Sequence, residues 1–223
     1  MDQNSTYFSL PDYLFSKLSH DILSGKYRAG DKLVEAVFQE EFEVSKSPVR
    51  EAFQMLINAG LIERKTRRGC FVKVLTPSEI ENIYEVRMLL EGLAAKDAYT
   101  RMTPADLKRL QELYAAMEAD MEANDTFSYF NHHNEFQRFF GEVSGNSVLV
   151  DICEKLRVQN TWYNMQFFKV DIHKDLHTHD DLMHHFTARD LNPDDIQKLM
   201  QDHIGIGLRN FRAYMQREGL TSP

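Results

Sequence analysis

Histidine, arginine and glutamine recur in this chain at positions where a helix would normally bury apolar residues. Over 79–100, Ile80, Tyr84, Arg87, Glu91, Ala94 and Ala98 share one helical stripe. Arg87 and Glu91, four residues apart, therefore face inward together or edge a cavity. Phe130, His133, Gln137 and Phe140 form a second stripe, and Leu176, His179, Leu182, Met183 and Phe186 a third. The fourth is Ile196, Met200, His203 and Gly207, with Gly205 and Gly207 leaving room beside His203. Three helices thus aim an imidazole at the interior and a fourth adds a guanidinium. A lone inward histidine is usually a hydrogen-bonded core residue, but several together call for a shared partner. Arg87 suits a carboxylate, which its planar fork grips with two parallel bonds; its structural alternative is an ion pair with Glu91. The neighbouring His173, His177, His184 and His185 read as a solvated helix face.

A second chemistry lies near the N-terminus. Between Gly30 and Val72 the pattern is a helix, a tight turn, a second helix and a basic hairpin. Ser45 is placed to cap the second helix, and Lys46, Ser47 and Arg50 fall in its first turns. Val49, Phe53, Leu56 and Ile57 give that helix a buried side and leave its polar side for a partner. The segment Lys65-Thr66-Arg67-Arg68-Gly69 then turns between Leu61–Arg64 and Cys70–Val74, a two-stranded wing with a cationic tip. Lys, Ser and Arg on a short helix beside such a wing suit a DNA groove and its phosphates.

The elements that position these groups fall in two parts. Thr76-Pro77-Ser78 marks a boundary, giving a DNA-binding domain over 1–76 and a helical domain over 77–223. The second part is helical almost throughout, with breaks at 102–104, 124–125, 144–146, about 171–175 and 190–193. Thr103 and Asn192 precede prolines as N-caps. The expected fold is mainly α: a winged helix-turn-helix followed by an all-α bundle of about six helices. A net charge of −8 divides unevenly, with 11 basic against 10 acidic residues over 1–76 and 15 against 24 beyond. Within 44–73 there are 7 basic and 2 acidic residues, and local charge governs phosphate contact because salt screens beyond about 8–10 Å. No apolar run approaches the ~20 residues of a membrane span, and two distant cysteines, Cys70 and Cys153, fit a reduced cytoplasmic protein.

The first seventy-odd residues resemble the winged helix-turn-helix of GntR-family bacterial regulators. The resemblance is carried by Gly30, Leu33, Glu35, Val44-Ser45, Pro48-Val49-Arg50-Glu51-Ala52, Gly60-Leu61 and Arg68-Gly69. Two positions depart from the family wording: Glu43 stands at the turn glycine and Lys46 at the recognition-helix arginine. Residues 79–215 resemble the FCD effector domain of the FadR subfamily, through Ile83-Tyr84-Glu85-Val86-Arg87 with Glu91, Ser144-Gly145-Asn146 and Ala188-Arg189-Asp190. Many such domains hold a metal with an aspartate, a histidine four residues on, and two later histidines. Here those positions are His133, Gln137, His179 and His203.

The resemblance implies a homodimeric, metabolite-responsive transcription regulator that binds an inverted-repeat operator in double-stranded DNA. Its usual action is repression relieved by a small carboxylate. Ser45, Lys46, Ser47, Arg50, Arg67, Arg68 and Gly69 are then the DNA-binding set, and Arg87 and Gln137 the effector set. His133, His179 and His203 would hold a divalent metal, Zn or Ni, since three imidazoles suit either; the alternative is a metal-free pocket binding the organic ligand directly. Two rival functions are a metal-dependent hydrolytic enzyme on a helical bundle, and a helical adaptor that has lost DNA binding through Glu43.

Overall fold

The computed structural model describes residues 9–164 and 172–219, which form two compact units. The first runs to Val74 and takes in Thr161–Asn164; the second begins at Leu75 and holds the rest.

In the first unit, α1 (Leu10–Leu23) starts at a capping box between Ser9 and Asp12, with Pro11 in its first turn. After β1 (Lys32–Leu33) come α2 (Glu35–Glu41), α3 (Lys46–Asn58), β2 (Ile62–Lys65) and β3 (Gly69–Val72). Leu14, Leu18, Ile22, Phe38, Val49, Phe53 and Leu56 are buried and join α1, α2 and α3, each contributing about 1.5–3 kcal/mol by leaving water. The wing has three antiparallel strands in the order β1-β3-β2 rather than the two expected, because Lys32 and Leu33 pair with Phe71 and Cys70.

The turn between α2 and α3 carries the first departure. Val44 donates to the carbonyl of Gln39 at 3.0 Å and Glu43 to that of Glu40 at 3.4 Å, a Schellman stop for α2. That motif needs a left-handed residue, and Glu43 supplies it at φ 53° where glycine is the usual choice. Ser45 occupies the N-cap of α3 but makes no side-chain capping bond, contrary to its expected role. Its hydroxyl remains on the exposed surface.

The second unit consists of α4 (Pro77–Arg101), α5 (Pro104–Glu122), α6 (Thr126–Ser144), α7 (Ser147–Tyr163, whose last residues from Thr161 group with the first unit), α8 (Ile172–His177), α9 (Asp180–Ala188) and α10 (Pro193–Arg217). Thr76, Thr103 and Asn192 each cap a helix whose first turn holds proline. Seven helical segments are described where about six were expected. The extra division falls at Thr178-His179, between α8 and α9, with neither glycine nor proline to announce it. Residues 172–175 of the break expected at about 171–175 are helical, and 171 lies outside the described residues.

α4 packs on α6 and α10, and α6 on α5. A Cβ on Gly207 would meet the Tyr84 ring at 2.7 Å, and one on Gly92 would meet Gln201 at 2.8 Å. The space left by Gly207 therefore admits Tyr84 and draws α4 against α10, rather than opening room beside His203. Gly205 lies instead against Arg209 and Met88.

Candidate functional site

Two sets of groups stand out, one in each unit. In the first, Ser45, Lys46, Ser47 and Arg50 are exposed on α3, and Arg67, Arg68 and Gly69 on the wing tip. Lys46, Arg64, Arg67, Arg68 and Gly69 line one open cleft of about 570 Å³ with Lys32 and Glu35. The wing turn requires Arg67 at φ 60° and Gly69 at φ 104°, so the tip is sharply folded with its arginines outward. Ser47 donates to Glu51 at 2.9 Å. Arg50 pairs with Glu35 at 3.2 Å. Glu35 sits on α2, so this pair links the two helices of the motif.

In the second unit, α6, the α8–α9 turn and α10 bring His133, His179 and His203 together. One nitrogen from each lies within 4.8 Å of the others. The rings of His179 and His203 are 4.4 Å apart between centroids, those of His133 and His179 5.0 Å. His179 is not part of a continuous helical stripe: it occupies the turn itself. There its Nδ1 donates to the carbonyls of Asp175 and Leu176 at 3.0 and 3.1 Å. His203 Nδ1 donates likewise to the Thr178 carbonyl at 3.1 Å. These bonds fix the tautomer, so Nε2 of both rings carries the lone pair.

Burial, aided by the neighbouring imidazoles, drives His133 and His203 well below the usual histidine range; burial also lowers His179. Neutral imidazoles are the form a metal takes. His133 Nδ1 and His179 Nε2 are buried without a hydrogen-bond partner among the described residues. Such orphaned atoms are rare because each costs about 1–3 kcal/mol. The donor set fits a divalent ion: Zn–N bonds of about 2.0–2.1 Å require nitrogens ~3.4 Å apart, a modest closure from the observed spacing.

Beside the histidines lies a buried charged layer. Arg87 Nε donates to Glu91 at 2.7 Å and Arg87 Nη2 to Gln137 Oε1 at 2.8 Å. Burial opposes the Arg87 charge, but Glu91 outweighs it and holds the guanidinium protonated. The Gln137 oxygen thus serves Arg87, its companion in the effector set read from sequence. Arg157 on α7 joins the layer, with Glu91 Oε2 at 3.9 Å and Glu154 at 3.1 Å. Among the described residues Glu91 Oε2, Arg157 Nε and Asn160 Oδ1 are buried without hydrogen bonds. Burial pushes the Cys153 thiol up to about 12, so it stays inert. Arg157 and Asn160 stand outside the candidate set read from sequence, although Leu149, Cys153, Arg157 and Asn160 share a helical stripe that marks them as inward.

Of the remaining histidines, His173, His177 and His184 are exposed, and His185 donates to Asp190 at 2.7 Å. His184, His185 and Asp190 form a second, open cluster.

A winged helix-turn-helix joined to a helical bundle with a polar, histidine-lined interior defines a two-part regulatory architecture. Residues 12–72 match the gntR family of bacterial regulatory proteins and residues 82–205 match the FCD domain. The chain belongs to the FCD-containing branch of the GntR family of regulators. It is 27% identical over 150 residues to the uncharacterized HTH-type transcriptional regulator YdhC of Bacillus subtilis, covering 65% of this chain and 66% of that one. It is 25% identical over 144 residues to the HTH-type transcriptional repressor RspR of Escherichia coli, covering 65% and 63%. The matched stretch therefore spans about two thirds of these relatives. The fold resembles that of E. coli McbR/YncC, with a TM-score of 0.77 and 20% identity over 92% of this chain and 98% of that one. These families and relatives are regulators rather than enzymes, which removes the hydrolase reading. Among the described residues no helix is long and apolar enough to cross a membrane.

Proposed function

We propose that this protein is a metabolite-responsive transcriptional repressor that leaves an inverted-repeat operator when a small carboxylate enters the helical unit. The observation that carries the proposal is the buried layer of orphaned polar atoms around His133, His179, Arg87 and Arg157, which calls for a ligand to complete it. The three neutral imidazoles would hold Zn or Ni, and the ion would give the acid a positive point to bind. His133, His179 and His203 orient it from three separate elements, so its capture would tie α6, the α8–α9 turn and α10 together. Gln137 and Glu91 hold the Arg87 guanidinium at one border of the site.

DNA contact belongs to the exposed set. Lys46 and Arg50 enter the groove, Ser45 and Ser47 meet backbone oxygens, and Arg67, Arg68 and the Gly69 amide follow the wing to a phosphate. Glu35 holds Arg50 until the DNA takes it over. Homodimerisation is supported by a solvent-facing apolar stripe on α4, Val86, Leu89 and Leu93, at the three- and four-residue spacing of helix pairing, with Leu89 65% exposed. The setting is the cytoplasm, where DNA is available.

The test is a mobility shift on the gene's own upstream DNA, repeated with a panel of small acids and with metal-stripped protein. Release by an acid, and loss of that release after chelation, are expected. Arg50→Ala should cost about 1–3 kcal/mol on operator and much less on random DNA. Arg67→Ala should weaken both alike and flatten the salt dependence. Equal losses for Arg50→Ala on both DNAs would remove its base-reading role.

A further inference from the structure

The arginine that sequence marks as a carboxylate anchor is already occupied. Arg87 spends Nε on Glu91 and Nη2 on Gln137, and its guanidinium sits 5.8 Å from the Tyr84 ring centre. Arg157 is equally buried, at 3% exposure, but is incompletely used: Nε has no partner, and Glu91 Oε2 stands at 3.9 Å, beyond hydrogen-bond reach. Among the described residues its hydrogen-bond partner is Glu154, whose side chain is 43% exposed and accepts from Nη2 at 3.1 Å. One turn further along α7, Asn160 is 6% exposed with Oδ1 unpartnered, and Glu91 Oε2 is a second orphaned acceptor. Arg157 lies near enough to His133 for its charge to bear on that imidazole. A donor in need of an acceptor and two acceptors in need of a donor thus line the same polar layer as the histidines.

We infer that Arg157, rather than Arg87, anchors the acidic group of the effector, and that Asn160 Oδ1 and Glu91 Oε2 share the single proton of a hydroxyl in a three-centre bond, making the ligand a hydroxycarboxylic acid. This rests on the carboxylate reading of the site and narrows it. A guanidinium with a free Nε binds one carboxylate oxygen and orients the acid, while a carboxylate oxygen and an amide oxygen reject any group that brings no proton to them. An acid lacking the hydroxyl leaves both acceptors buried and unsatisfied. Arg87 becomes a positioning residue: it fixes Glu91 so that Oε2 faces the ligand.

The experiment measures binding by calorimetry and thermal shift on the full-length protein, using glycolate, lactate, malate and gluconate against acetate, propionate and succinate. Hydroxy acids should bind about 10–100-fold more tightly than their deoxy partners. Arg157→Gln should lose a similar factor for every acid while keeping the wild-type helical signal and operator binding. Arg157→Lys, which restores the charge but not the fork, should recover part of the loss. Asn160→Ala should reduce the preference for the hydroxyl, with Glu91 still accepting, and leave deoxy acids unchanged. Should Arg157→Gln misfold, the Lys and Asn160 variants still decide the matter. Unchanged affinity in folded Arg157→Gln or Arg157→Lys, or equal affinity for hydroxy and deoxy acids, overturns this assignment alone. If no acid stabilises the wild-type protein, the carboxylate reading falls and takes this one with it.

Discussion

Asp21 in the winged unit and Arg157 in the helical unit are both charged side chains left only 3% exposed, yet their surroundings differ. Asp21 receives Lys17 and Lys26, each at 2.7 Å, one on each carboxylate oxygen. Burial alone would raise its pKa, but the two lysines win and hold the carboxyl below its ordinary value. Among the described residues Arg157 has a hydrogen-bond partner for Nη2, a more distant ion pair for Nη1 and no partner for Nε. On the proposed reading, the buried charge that holds the fold together is completed by the chain itself, and the one that would serve a ligand is left short. The same contrast runs through each unit. The winged unit keeps the cations proposed to meet DNA, Lys46, Arg50, Arg67 and Arg68, in water, where a charge costs little whether or not it is paired. The helical unit keeps its own inside, where the shortfall is costly and so informative.

The largest effect should come from Arg87, which is completed as Asp21 is, although it lies in the ligand layer. Arg87→Ala strands Glu91 in the interior, and breaking a buried pair from one side costs about 3–5 kcal/mol. A large fall in the melting temperature, mostly restored by adding Glu91→Gln, is the expected pattern. A stable, operator-binding Arg87→Ala protein that merely ignores its effector would return Arg87 to the anchoring role and weaken the contrast with Arg157.

Asp21 tests the other side. Asp21→Asn keeps the shape but removes the charge that both lysines seek, at a cost of about 1.5–3 kcal/mol to the winged unit. The pH dependence has a definite sign. Because the folded pKa lies below the unfolded value of about 3.9, the carboxylate's contribution is present above that value. It fades as pH falls through the folded pKa. Acid melts of wild type and Asp21→Asn should therefore converge below about pH 4. Parallel curves down to lower pH would mean that the lysines do not stabilise Asp21 in solution.

How much of this was legible in the sequence follows from the range of the contacts. The winged unit could be read because its signals are local: the stripe Val49, Phe53 and Leu56, the wing turn, and the charge excess all lie within thirty residues. Its third strand was not legible, since Lys32-Leu33 has no strand pattern of its own and is strand only because Phe71 and Cys70 are there to pair. In the helical unit, the inward stripes placed Arg87, Glu91, His133 and Gln137 correctly as interior positions. Which atoms were already satisfied depended on partners up to fifty residues away, as with Arg87 and Gln137. Gly207 is the sharpest instance: its gap is filled by Tyr84 from another helix, which no local pattern announces. The histidine at the α8–α9 turn kept its inward direction despite the break, because the carbonyls of Asp175 and Leu176 hold its ring.

The smallest effect concerns Glu43, where the winged unit departs from its family wording. A non-glycine residue in the left-handed region costs about 1–2 kcal/mol. Glycine there would relieve that strain but lose more freedom on folding, by about 0.5–1 kcal/mol. Glu43→Gly should thus stabilise the protein by no more than about 1.5 kcal/mol, a rise of a few degrees in the transition of the winged unit. The turn already closes with both of its Schellman bonds in place, so the glutamate has not opened the motif. Operator affinity should accordingly stay within about twofold of wild type, since α3 and its exposed face are already in position. A large gain in DNA binding on introducing glycine would show instead that Glu43 holds the two helices away from their binding geometry, and would revive the view of this chain as an adaptor. A fall in melting temperature would mean that the Glu43 side chain makes a stabilising interaction worth more than its backbone strain.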